Sequence, residues 1–141
     1  MLDDATLVDL GAACHPFGAA SPAFRALQLE DYGVRWLRAP YEMAHPLDGG
    51  AAVLAGSLED TAAGLGVDGK AWARLHKPVV ARVDDLLKDV LAPMPRVPGH
   101  PLALARFGAR GLWPATALGR AALRTEEARA LLAGSATHAI T

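Results

Sequence analysis

Cysteine is nearly missing from this chain: Cys14 stands alone, which excludes an intramolecular disulfide and a thiolate metal cage. Aromatic residues are scarce at 6%. The 52% hydrophobic content is therefore carried mainly by alanine and leucine, a balance that favours helices over strands. No apolar run approaches the ~18 residues that a membrane-spanning helix needs. The opening Met1-Leu-Asp-Asp4 is acidic where a signal peptide would be basic and then apolar, so the expected location is a reducing cytoplasm. Net charge is only -1, and no global field recruits nucleic acid. Internal repeats, a phosphate loop in its proper context, a nucleophile elbow and a metal-ligand spacing are also missing.

What is present fits one domain of 141 residues, long enough to bury about two-thirds of its unfolded surface. The expected fold class is α+β and predominantly helical, with a small antiparallel sheet over about residues 34–55 packed against several helices. Residues 3–10 read as a short strand. Ser21-Pro22 is a helix start, a serine cap followed by proline at the first helical position. That helix would carry Phe24, Leu27 and Leu29 and stop near Tyr32-Gly33. Residues 34–37 and 41–47 read as strands split by Pro40, and Asp48-Gly49-Gly50 is a hairpin turn returning through residues 51–55.

Helices dominate the rest. Ser57 with Asp60 forms a capping box for a helix to about Leu65. Trp72, Leu75, Val79, Val83, Leu86, Leu87 and Val90 keep 3.6-residue spacing, which predicts one helix over 69–91, bent at Pro78. Residues 93–98 form a proline-rich connector. Pro101 opens a further helix interrupted by Gly108, Gly111 and Pro114, and Thr125 caps the last one with Glu126 and Glu127 in its first turn. The chain opens just before an apparent strand and stops at Thr141 without a polar tail, as a segment of a longer protein would.

Few residues point to chemistry. His15, His45 and His100 each precede proline, but they lie far apart and no carboxylate or cysteine spacing joins them; turn roles explain them better than a metal. Ser135 and His138 share a helical face without an orienting acid or an oxyanion site. Gly64-Leu-Gly-Val-Asp-Gly69 has the letters of a dinucleotide fingerprint, yet it follows a helix rather than a buried strand and reads as a linker. No acidic residue occurs over 90–125, where Arg96, Arg106, Arg110, Arg120 and Arg124 stand. The i,i+4 pairs Arg106/Arg110 and Arg120/Arg124 beside Leu104, Phe107, Leu112 and Trp113 fit peripheral contact with an anionic membrane, or a solvated helix face meeting acidic partners.

The stretch Asp9-Leu-Gly-Ala-Ala-Cys-His-Pro-Phe17 offers small residues that let a flat partner approach the backbone closely. Taken in order with Ala20-Ser-Pro-Ala-Phe-Arg-Ala-Leu27, Gly33-Val-Arg-Trp-Leu37, Ala44-His-Pro-Leu-Asp-Gly-Gly50, Ser57-Leu-Glu-Asp-Thr-Ala-Ala63 and His100-Pro-Leu-Ala-Leu-Ala-Arg-Phe107, it resembles the phytoene dehydrogenase-like FAD-dependent oxidoreductases. The resemblance covers nearly the whole chain. It implies that Gly11, Ala12, Ala13 and His15 line the flavin, that residues 1–20 are flavin-proximal, and that 21–141 are part of the substrate domain for a lipophilic, polyene-like molecule. The family's G-x-G-x-x-G loop is absent here, so the chain alone is expected to be inactive and to retain no FAD. The competing expectation is a non-enzymatic helical binding module. Apolar faces left bare would in either case promote self-association.

Overall fold

A computed structural model describes residues 16–93 and 95–137. The chain divides into two compact units, residues 1–36 and 37–141. Among the described residues there are eight α-helices and one two-stranded antiparallel sheet, a predominantly helical α+β architecture.

In the first unit, helices α1 (Pro16–Ala20) and α2 (Pro22–Ala26) are short. Ser21 caps α2 as its sequence requires, its hydroxyl accepting from the Phe24 N–H at 3.4 Å. The expected continuation to Tyr32 does not occur. Gln28 adopts the left-handed conformation at φ 47°, which ends the helix, and the chain resumes as a single 3-10 turn over Leu29–Tyr32, closed by Gly33 at φ 89°. Residues 34–37 are not a strand either. Their β-favouring side chains have no neighbouring ladder, and the Val34 N–H donates back to the Leu29 carbonyl at 3.2 Å.

The second unit is built on a hairpin of β1 (Tyr41–Leu47) and β2 (Gly50–Ala55), in which Leu47 opposes Gly50 and His45 opposes Ala52. Asp48-Gly49 supplies the two-residue turn. Met43, His45 and Leu47 are half-buried and alternate with exposed neighbours, the period-two signature of a sheet with one covered face. The covering element is α8 (Glu126–Thr137), which packs on both strands. Gly134 of α8 lies directly against the His45 imidazole, and the space a β-carbon would need there is taken by that ring.

Helix α3 (Leu58–Gly64) starts at the expected capping box. The Ser57 hydroxyl accepts from the Asp60 N–H at 3.0 Å and donates to its carboxylate at 2.7 Å. Buried Thr61 ties α3 to the sheet, accepting from the Ala55 N–H at 3.0 Å while donating to the Ser57 carbonyl at 2.8 Å.

The expected long helix is instead two helices, α4 (Gly69–Val80) and α5 (Val83–Val90). Pro78 lacks an N–H and crowds the carbonyl four residues back. The chain stays helical through Val80, then tightens: the Arg82 N–H bonds the Val79 carbonyl at 3.0 Å and Arg82 leaves helical geometry at φ -130°. Asp84 and Asp85 restart the helix in its first turn, where negative charge complements the dipole. Helix α6 (Pro101–Gly111) passes through Gly108, and α7 (Ala115–Ala122) follows Pro114.

The core comprises Ala52, Leu65, Trp72, Leu123, Ala128, Leu131 and Leu132, drawn from β2, α3–α4 and α7–α8. Buried in it is one carboxylate that the sequence left unremarked. Asp68, in the 3-10 turn Gly66–Asp68 between α3 and α4, is 1% exposed. It accepts from the Arg124 N–H at 2.9 Å, the Thr125 N–H at 2.7 Å and the Thr125 hydroxyl at 2.7 Å. Burial alone would raise its pKa; the Thr125 N–H and hydroxyl, then the Arg124 N–H and charge, outweigh burial and hold the carboxyl below its ordinary 3.8. Asp68 thus fixes the point where α8 begins, and Thr125 completes the cap by accepting from the Ala128 N–H at 3.3 Å.

Candidate functional site

The break between α4 and α5 opens a groove against α6. Its volume is about 300 Å³, and its lining is mostly apolar: Pro78 and Val79 of α4, Leu86 of α5, and Pro101, Leu102, Ala103 and Phe107 of α6. Four basic side chains border it, Arg82, His100, Arg106 and Arg110. The expected single helix over 69–91, bent at Pro78, is broken at Arg82 instead, and the groove is lined from both sides of that break.

Asp89, near the end of α5, holds the segment that leads into α6. Its buried carboxylate accepts from the Gly99 N–H and the His100 N–H, each at 2.8 Å, and the Arg96 guanidinium approaches at 3.4 Å. The Gly99 N–H, foremost, overcomes the opposing effect of burial, and with the His100 N–H and ring it holds the Asp89 carboxyl below its ordinary 3.8. The His100 imidazole sits between two carboxylates, Nε2 at 3.4 Å from Asp85 and Nδ1 at 3.3 Å from Asp89. The second contact is close without hydrogen-bond alignment, leaving Nδ1 buried and unbonded. Arg82 pairs with Asp85 at 3.2 Å. Asp89→Asn is expected to release this lead-in segment. Hydrogen exchange should speed up at the Gly99 and His100 amides while the amides of α8 keep their protection; unchanged exchange at Gly99 would contradict the anchoring role.

Sequence-expected residues fall in different places. Gly11, Ala12, Ala13 and His15, the expected flavin-lining set, lie outside the described residues, as do Cys14, the expected strand over 3–10 and His138. Arg106 and Arg110 share one face of α6 and border the groove. Arg120 and Arg124 do not form the second helical pair: α7 stops at Ala122, Leu123 is extended, and Arg124 lies beyond the helix with its N–H committed to Asp68. His45 is packed on Gly134 and His100 on Asp85 and Asp89, and no group of three metal-ligating side chains occurs among the described residues. The Ser135 hydroxyl donates to the Leu131 carbonyl of its own helix at 2.8 Å. No helix among the described residues is long and apolar enough to cross a membrane.

The segment with fingerprint-like glycines, residues 64–69, runs through a 3-10 turn after a helix, and its Asp68 carboxylate accepts from the Arg124 and Thr125 N–H groups. Comparison with known proteins finds no matching family model, no matching curated protein and no matching solved structure.

Proposed function

We propose that these residues form the substrate-side segment of an FAD-dependent oxidoreductase acting on a lipophilic molecule, with the nucleotide-binding parts supplied from outside this sequence. The observation that carries this reading is the groove. Its α6 side draws His100, Pro101, Leu102, Ala103, Arg106 and Phe107 from His100-Pro-Leu-Ala-Leu-Ala-Arg-Phe107, one of the six stretches on which the family resemblance rests. An apolar recess with a few placed polar groups is the usual form of a small-molecule site. The flavin would supply the hydride chemistry. The role of this chain is to present apolar surface, exclude water and orient the substrate, which accounts for a site without an acid–base pair on its apolar floor.

Two measurements test the proposal. The DNA preceding the Met1 codon is expected to encode a strand, a Gly-x-Gly-x-x-Gly turn and a helix; an unrelated gene there overturns the oxidoreductase reading. The purified chain is expected to be colourless and to take up no FAD in equilibrium dialysis. A yellow protein with a flavin spectrum would overturn the assignment of nucleotide binding to residues outside this sequence.

A second reading, a helical interaction module, is favoured by the large apolar side chains exposed at and just beyond α6: Leu102 is 74%, Leu112 86% and Trp113 55% exposed. Self-association on sedimentation at high concentration is expected under both readings, so a monomer throughout the range counts against the bare-face argument and the upstream sequence discriminates between them.

A further inference from the structure

We propose that the α4–α5–α6 groove binds a long-chain carboxylate, with Arg106 and Arg110 holding its head group and Val79, Leu86 and Phe107 its chain. This deepens the lipophilic-substrate reading and rests on it for the ligand's place in a reaction.

The charge pattern carries the inference. Arg106 and Arg110 lie one helical turn apart on the wall of the groove, and no ion-pair partner is found for either among the described residues. The acids that face the region are already engaged. Asp85 meets Arg82 and His100, and Asp89 is occupied by the Gly99 and His100 N–H groups and by Arg96. No acidic residue occurs over 90–125 to neutralise α6 from its own neighbourhood. Two solvent-exposed guanidiniums without an ion-pair partner among the described residues therefore border an apolar recess, and their paired forks suit the geometry of a carboxylate.

Size and shape choose among anions. At about 300 Å³ the groove lies at the small end of the ~300–1,000 Å³ typical of ligand sites, enough for one acyl chain rather than a two-chain lipid. Its walls come from three successive elements, α4, α5 and α6, so the apolar surface is concave, whereas a bilayer meets a convex face. A short, compact anion such as phosphate would leave Val79, Leu86 and Phe107 unused.

Isothermal titration of the full chain distinguishes the possibilities. Three probes are used: dodecanoate kept below its micelle concentration, dodecanol, and phosphatidylglycerol vesicles. Saturable dodecanoate binding is expected, tighter than dodecanol and weakening as salt rises. Arg106→Gln/Arg110→Gln should weaken dodecanoate about tenfold, about 1.4 kcal/mol, and leave dodecanol unchanged. Arg120→Gln, off the groove, should change neither, and Arg106→Lys/Arg110→Lys should retain part of the preference. Equal affinity for dodecanoate and dodecanol overturns the carboxylate assignment while leaving the lipophilic reading standing. Binding of neither removes both. Binding to vesicles without uptake of monomeric dodecanoate overturns the proposal in favour of a membrane-contact surface. Dodecanoate binding in a chain preceded by an unrelated gene keeps this inference and removes the oxidoreductase reading. The salt dependence in the unmodified protein decides the matter even where a variant folds poorly.

Discussion

Asp68→Ala should destabilise the second unit by about 2 kcal/mol, because it strands two part-buried N–H donors and removes a charge-assisted acceptor. The Arg124 and Thr125 N–H groups and the Thr125 hydroxyl all donate to this one carboxylate. A fully buried donor left unsatisfied costs about 1–3 kcal/mol and a part-buried one less, against a total stability of about 5–15 kcal/mol for a domain this size. Urea denaturation followed by circular dichroism would read the loss as a lower midpoint. Asp68→Asn should fall between, since the amide oxygen can accept while its NH₂ faces donors. The acid limb adds a second readout. The folded carboxyl titrates below 3.8, so its contribution is complete above that pH and is lost as pH falls through the lower, folded value. The Asn variant should therefore show a shallower loss of stability on acidification, with the Asp89 contribution remaining. A midpoint within experimental error of the parent protein would remove Asp68 from its structural role.

Gly69→Ala, one residue on, should cost about 2 kcal/mol despite placing a better helix former at the first position of α4. Alanine gains up to about 1 kcal/mol over glycine inside a helix. Here its β-carbon would overlap the Ala62 carbonyl oxygen of α3 and lie 2.9 Å from the carbonyl carbon. The obstacle is backbone and cannot rotate away, so α3 and α4 must separate, and overpacking of that kind costs about 1–3 kcal/mol or more. Gly64→Ala, where a β-carbon meets nothing within 4 Å, is the matched control and should be neutral or stabilising. Equal thermal midpoints for the two variants would show that the α3–α4 crossing can yield.

These two neighbours mark the limit of what the sequence made legible. Features encoded within a few residues were readable: the Asp48-Gly49 turn with its period-two flanks, the caps at Ser21, Ser57 and Thr125, and the proline start of α6. Readings failed where a distant partner decided the outcome. Residues 34–37 have strand composition but no strand beside them. The 3.6-residue spacing over 69–91 runs across the break at Arg82, although Val83 and Val90 of that set are exposed. Asp68 sits in a segment that reads as a linker, yet its partners lie 56 and 57 positions away. For that carboxylate a signal did exist: Arg124-Thr125 opens a helix whose free N–H groups needed an acceptor. Within the groove, Arg106 and Arg110 were visible as an i,i+4 pair. Their apolar floor was not, since it comes from α4 and α5.

The separation between Asp68 and Thr125 also has a kinetic meaning. Most of the packing joins elements close in sequence, β1 with β2, α3 with α4, and α7 with α8, a pattern of low contact order that favours fast collapse. The Asp68 clamp closes a loop of more than fifty residues and repays its entropy only after both ends are in place. It is therefore expected to form late on the folding path, with a φ-value near zero. Loss of the carboxylate should leave the refolding rate nearly intact and appear as faster unfolding, so that this one side chain is expected to govern the lifetime of the folded unit more than the speed of its formation.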